Sequence, residues 1–298
     1  GGNALKWVFL LLIYLVGCHL PEARNPVTDV VRSVPTQLRS ELDLDPYYQQ
    51  YSDVLGFPVL ASARVQPESL AEARYLILQM IGHRPEILAA MAKNRTRFTV
   101  MAYNEWTTMV PEHSDLRPPE YWDRRARGLG ATSARPTVSC GEENLLAMDG
   151  DPYATENILI HEFAHAIHSM GLSSVDPTFD TRLKEAYRAA MDAGLWKGAY
   201  AATNHKEYWA EVVQSWFDTN RENDNQHNHV DLRSELKEYD PTAAALCEEI
   251  FGDGSWRYVH PHYRSHEPHL RYIDRDLLPT FRWADGMEEA YKANPRPE

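Results

Sequence analysis

The segment HEFAHAIH, His161 to His168, sets three histidines and a glutamate within eight residues. On a helix, His161 and His165 lie four apart, so their imidazoles project side by side and can reach one tetrahedral zinc ion. Glu162 sits beside them and can approach a water molecule without taking a coordination position. Together they form H-E-x-x-H, a pattern suited to metal-assisted hydrolysis with Glu162 as general base. His168 shares their face but lies roughly 10 Å from His161 along the axis, too far to join both others on one ion. It is expected to line the cleft or to donate a hydrogen bond.

A catalytic zinc site takes three protein ligands and keeps one position open. The metzincin continuation, G-x-x-H after the second histidine, is excluded: His168 stands where its glycine belongs and Gly171 where its histidine belongs. The remaining candidates lie in YAATNHKEYWAEVVQSWFD, Tyr200 to Asp218. There Trp209, Val212, Val213 and Trp216 make an apolar stripe at helical spacing. Glu207 and Glu211, four apart, fall together on the opposite face. One would bind the metal and the other accept the free N–H of a ligand histidine. A plainer assignment makes Glu207 a capping-box partner of Asn204 and Glu211 solvated surface.

With these residues in view the chain resembles a known group. HEFAH followed by Y-x-x-T-N-x-x-E-x-x-A-E is similar to the anthrax lethal factor-like metallopeptidases, a gluzincin branch of the zincins, over His161 to Asp218. The resemblance implies one zinc ion held by His161, His165 and Glu207, with Glu162 as general base. It implies Tyr200 as the tyrosine that stabilises the oxyanion and Glu211 as the acid behind a ligand histidine. It also implies a peptide or protein substrate and an α+β, zincin-like fold. In that fold a mixed α/β upper lobe carries the active-site helix above a helical lower lobe. Trp209 stands where the family usually has phenylalanine, and His205–Lys206 replace more acidic residues. These departures spare the metal site and bear on substrate preference.

Several elements must position this site. The histidine helix is expected to start at Asp151, as cap, and Pro152, and to end near Gly171. Leu159, Phe163, Ile167 and Met170 form its apolar stripe. Upstream, Pro67 opens a helix through Ile81, with Leu70, Ala73, Ile77 and Met80 at helical spacing, and a second helix follows Pro85. RFTVMAYN (97–104) reads as a strand, and VSCGEENLLAM (138–148) contains another. Either RFTVMAYN or GEENLLAM is expected to offer the substrate a free sheet edge. The Pro- and Gly-rich stretch between them reads as a long ordered loop. Downstream, 180–196, 204–220 and about 241–251 read as helices, and the chain beyond Trp256 as irregular. His227, His229, His260, His262, His266 and His269 lack recognised ligand spacing and are expected at the surface or the cleft rim.

The chain has 298 residues, 43% hydrophobic, enough for one large domain with a substantial core. A net charge of −13 without any basic tract argues against a nucleic-acid partner. Lys6 precedes an apolar run, Trp7 to Val16, too short to span a bilayer and suited to a secretory signal. The run ends LVGC, which resembles a bacterial lipobox, with cleavage before Cys18 and acylation of its thiol. The expected organisation is a lipoprotein-type signal peptide (1–17), a tether (18–45) and one catalytic domain (46–298), its lobes meeting near 171. The lipid anchor would be the only membrane contact, and soluble export is the alternative. In an exported protein Cys140 and Cys247 invite one disulfide, or remain two buried thiols.

Three functions follow as expectations. The first is an exported zinc peptidase. The second is a zinc hydrolase of a non-peptide amide, cell-wall or glycan-linked. The third is a non-catalytic zinc-containing surface lipoprotein that binds a partner. Glu162 weighs against the third, since a structural site has no use for a general base.

Overall fold

The computed structural model describes residues 24–294. Six strands form one sheet: β1 (Arg32–Ser33), β2 (Gln50–Val54), β3 (Phe57–Ala61), β4 (Arg97–Met101), β5 (Gly128–Leu129) and β6 (Thr137–Gly141). Their order is β1-β2-β3-β4-β6-β5. β3, β4 and β6 run parallel at the centre, with β1 and β2 antiparallel on one side and β5 antiparallel on the other. Every residue of the three central strands is buried, as parallel strands covered on both faces require.

The β3–β4 crossover carries α1 (Pro67–Ile81) and α2 (Pro85–Lys93), each with proline in its first turn, where a missing N–H costs nothing. Leu70, Ala73, Ile77 and Met80 are buried on α1, the stripe expected from their spacing, and Leu76 is buried with them. Then come α3 (Pro119–Arg125), α4 (Ile158–Ala166), α5 (Thr178–Asp192), α6 (His205–Trp216), α7 (Pro241–Phe251) and α8 (Met287–Ala293). The fold is α+β: the sheet closes by Gly141, and the described chain beyond it is helical or irregular. One hydrophobic cluster runs from Val54 through the sheet to Phe251. Phe163 of α4 meets Phe57 and Phe98 from the strands, and Trp209 of α6 stacks on Phe251.

Several expectations need correction. The histidine helix begins at Ile158, not Asp151, and Asn157 caps it by accepting from the Ile160 N–H. Asp151 is engaged elsewhere, accepting from the Tyr153 N–H and the Asn144 amide. Asn144 also donates to the Tyr153 and Glu156 carbonyls and accepts from the Ile158 N–H. A side chain outside the helix therefore supports the start that Asn157 caps. At its far end α4 passes into a π-helical turn over Ile167–Leu172.

The long loop between the two expected strands contains α3 and β5. RFTVM is an interior strand, and after Gly141 the GEENLLAM segment turns helical over Glu142–Leu145, so neither offers the free edge. The described part of the expected tether joins the body of the protein. Arg32–Ser33 pairs with β2, and the Ser52 hydroxyl donates to the Val30 carbonyl. Cys140 and Cys247 are both free and buried, one in β6 and one in α7, so no disulfide joins them. Cys18 and the segment expected as a signal peptide lie outside the described residues. Among the described residues no helix is long and apolar enough to cross a membrane.

Candidate metal centre

Helices α4 and α6 hold the site between them. Their polar faces meet at His161, His165 and Glu207, while the α4 stripe packs on the strands and Trp209 of α6 on Phe179 and Phe251. The buried Trp209 indole N–H donates to the Ala164 carbonyl at 3.0 Å, which ties the two helices together. Asn204 caps α6 by accepting from the Glu207 N–H at 2.8 Å. The Glu207 side chain does not close a capping box; it turns toward the histidines. His161 Nε2 lies 3.1 Å and His165 Nε2 3.3 Å from the same oxygen, Glu207 Oε2.

Those spacings test whether zinc fits. Tetrahedral zinc with ligands at about 2.0–2.1 Å places neighbouring donor atoms about 3.3 Å apart. The three donor atoms all lie within 4.8 Å of one another, and two imidazole nitrogens with one carboxylate oxygen suit zinc. The ligand side chains are 11–19% exposed, shielded yet reachable from one side. Glu162 and Glu207 bring two carboxylates to His161 and His165, a charge that a divalent cation offsets. The residues fit the ion.

Behind the ligands runs a chain of buried polar groups. His161 Nδ1 is 2.7 Å from Gln214 Oε1 and 3.4 Å from Glu211 Oε2. Glu211 lies behind His161, and Gln214 is the closer acceptor. Gln214 in turn donates to Glu156 at 3.0 Å. On the other side of Glu211, His227 Nε2 approaches Oε1 at 2.8 Å, and its Nδ1 lies 2.8 Å from Asp224. Of the histidines expected at the surface or the cleft rim, His227 lines the cleft, and its side chain, 6% exposed, belongs to this network. His269 is likewise drawn inward, 3.3 Å from the buried Glu72. Gln214 was legible in principle, lying three residues beyond Glu211 on one face of α6. His227 sits in a loop, where no periodicity marks it.

Burial alone would raise the carboxyls of Glu207 and Glu211. Hydrogen bonds from His161 and His165 hold Glu207 well below the usual range, and those from His161 and His227 lower Glu211. Glu162 is raised, by burial first, with His161 and His165 partly offsetting it. That shift moves a carboxylate toward the basicity a proton acceptor needs.

β5 forms the wall above Glu162. A Cβ on Gly128 would meet the Ser139 carbonyl at 2.6 Å, Ile158 at 2.7 Å and the Glu162 side chain at 3.2 Å. Only glycine lets the strand lie this close to α4. One residue before it, Arg127 is fully buried and donates to both oxygens of Glu143, at 2.6 and 3.0 Å, which pins the start of β5. As the last strand in the order, β5 is the sheet edge nearest the histidines. A cleft of about 320 Å³ opens beside it, lined among others by Arg125, Glu162, Tyr200, Arg221 and Tyr291. The Tyr200 backbone N–H donates to Gln226, and its ring lies 6.3 Å from that of His161. Burial, then the charge of Glu207, pushes its phenol up to about 12, so it stays a hydrogen-bond donor at neutral pH.

No family model and no curated protein matches the chain. Among solved structures it is similar to the PRO-PRO endopeptidase PPEP-2 from Paenibacillus alvei. The likeness has 17% identity and a TM-score of 0.46, over 65% of this chain and 97% of that one. So slight a likeness leaves the functional reading to the geometry of the site.

Proposed function

We propose that this protein is a zinc-dependent peptidase of the zincin type, with His161, His165 and Glu207 as its metal ligands. The observation that carries the reading is the approach of both imidazole Nε2 atoms to one Glu207 oxygen, with Glu162 in the adjoining cleft. When bound, zinc supplies Lewis acidity, acidifying water and polarising a carbonyl. Glu162 takes a proton from the attacking water on its carboxylate and returns it to the leaving amine. The Tyr200 O–H donates to the oxyanion that develops on the substrate carbonyl. The free edge of β5 offers backbone groups to an extended peptide as an added strand, which would hold the scissile bond beside Glu162. Glu211 and Gln214 keep His161 in the tautomer that leaves Nε2 free for metal.

The lethal factor-like assignment rests on the residues from His161 to Asp218 and belongs to this proposal, as does an acylated Cys18. Cleavage of casein or a peptide library, with a chelator control and zinc restoration, tests the activity. Peptide cleavage that survives chelation removes the zinc mechanism. Cleavage of cell-wall amides in place of peptides moves the protein to the non-peptide class. Zinc retention with neither activity leaves a partner-binding lipoprotein. For the anchor, Cys18→Ala blocks acylation and membrane retention; a mature N-terminus beyond Cys18 in a freely soluble protein means simple secretion.

A further inference from the structure

A second cluster of ligand-type side chains lies just beyond the first. His168, in the π-helical turn after α4, places Nε2 2.8 Å from Asp180 Oδ1 on α5. His205, the first residue of α6, brings its own Nε2 to 3.6 Å from the same oxygen. The two imidazole rings stand 5.9 Å apart at 78°, edge toward face. One donor atom from each of the three residues lies within 4.8 Å of the others. Separations of 2.8 and 3.6 Å bracket the roughly 3.3 Å between neighbouring ligands of a tetrahedral ion at zinc–nitrogen distances. A small adjustment of the more exposed His205 would even them out.

We propose that His168, Asp180 and His205 form a second metal site that takes a first-row transition ion such as zinc. Two nitrogens and one oxygen exclude calcium and magnesium, which take oxygen ligands almost throughout. The site is closed on one side and open on the other: His168 is 5% exposed, His205 22% and Asp180 43%. The open side admits the ion and leaves water to complete its shell. Lys184 holds the other Asp180 oxygen at 2.9 Å, so Oδ1 remains for the metal.

Its three ligands and open position match the first centre, so its role turns on what stands beside the ion. Where the first centre has Glu162 to accept a proton, this one has a lysine ammonium, which accepts none. The three ligands come from three helical segments, so an ion here ties the end of the histidine helix to α5 and to the first turn of α6. Glu207 is two residues beyond His205, and the staple would steady the helix start that presents it.

The test is calorimetric titration of the untagged, chelator-stripped full chain with Zn²⁺ alone. Wild type takes up two equivalents, and His205→Ala and Asp180→Asn each take up one. A His161→Ala/His165→Ala double variant still binds one, and adding His205→Ala to it abolishes binding. Zn²⁺ also raises the melting temperature of the double variant but not of the triple one. Unchanged stoichiometry in both His205→Ala and Asp180→Asn, or a double variant that binds nothing, overturns the second site. If wild type binds one ion that the double variant retains and His205→Ala loses, the first centre fails and the second stands.

Discussion

The His161–His165–Glu207 and His168–Asp180–His205 clusters offer the same donors, two imidazoles and one carboxylate, and draw on neighbouring stretches of chain. They differ in what stands behind the ligands. His161 backs onto Gln214 and Glu211, and these continue to Glu156, His227 and Asp224. At the second cluster the ligand carboxylate faces Lys184, itself half exposed. A network of buried acceptors fixes ring tautomers before any ion arrives, and it makes a ligand histidine more basic. A donor set alone is enough to hold an ion. Reactivity needs in addition a neighbouring acid able to move a proton; Glu162, in the cleft beside the first cluster, can serve, whereas the second cluster has Lys184 in that place.

The sharpest way to break this contrast is at Glu162. Glu162→Gln should keep zinc and fold while turnover drops by about 10²–10⁴, the worth of a positioned general base. Steady-state cleavage of a peptide beside metal analysis of the same sample decides it. Full activity in that variant would remove the distinction between the two clusters.

Tyr200→Phe comes next, with an expected loss of about 10²–10³ in kcat if one oxyanion donor disappears. The loss should fall on kcat more than on KM, because the hydrogen bond is made to charge that exists only on the way to product. An unchanged kcat returns Tyr200 to packing beside His161.

How much of this was legible depends on whether the deciding contact is local. The bounds of α1 and α7 follow from proline in the first turn and an apolar period that any short window contains. The pairing of α4 with α6 follows equally from the histidine row of one and the glutamate row of the other, each opposite an apolar stripe. The start of α4 is legible only in part: Asn157 is a local cap, but Asp151–Pro152 imitates one further upstream, and Asn144 supports the true start from outside the helix. β5 has two residues, too few to show alternation, and it is identified by what Gly128 must avoid in α4 and β6. His227 comes to the site only because its loop folds back onto Glu211. In these cases a long-range hydrogen bond or a close backbone approach adds what the local pattern leaves open.

His227 supplies the next prediction. His227→Ala removes a partner of Glu211 and should weaken zinc binding at the first centre by roughly 10- to 100-fold, the usual worth of such outer support. Glu207→Gln should cost more, since it alters a ligand, and Glu211→Gln should resemble His227→Ala. Zinc competition against a chromogenic chelator ranks the three. A Glu211 variant that loses more zinc than the Glu207 variant would show that ligand and support are exchanged.

The smallest expected effect lies at Lys184, where the second cluster departs most from the first. Its ammonium shares Asp180 with the proposed ion and repels it, but both side chains are about half exposed, so water and salt screen the repulsion. Exposed ion pairs are worth up to about 1 kcal/mol, so Lys184→Ala should tighten the second site by about fivefold at most and leave the first untouched. Titration of the His161→Ala/His165→Ala background with Zn²⁺, with and without the lysine, isolates the term. The gain should shrink as salt rises. Weaker binding without Lys184 would mean that the lysine orders Asp180 for the ion, as Gln214 and Glu211 order His161. The second cluster would then have outer support of its own, and the contrast would narrow to the base.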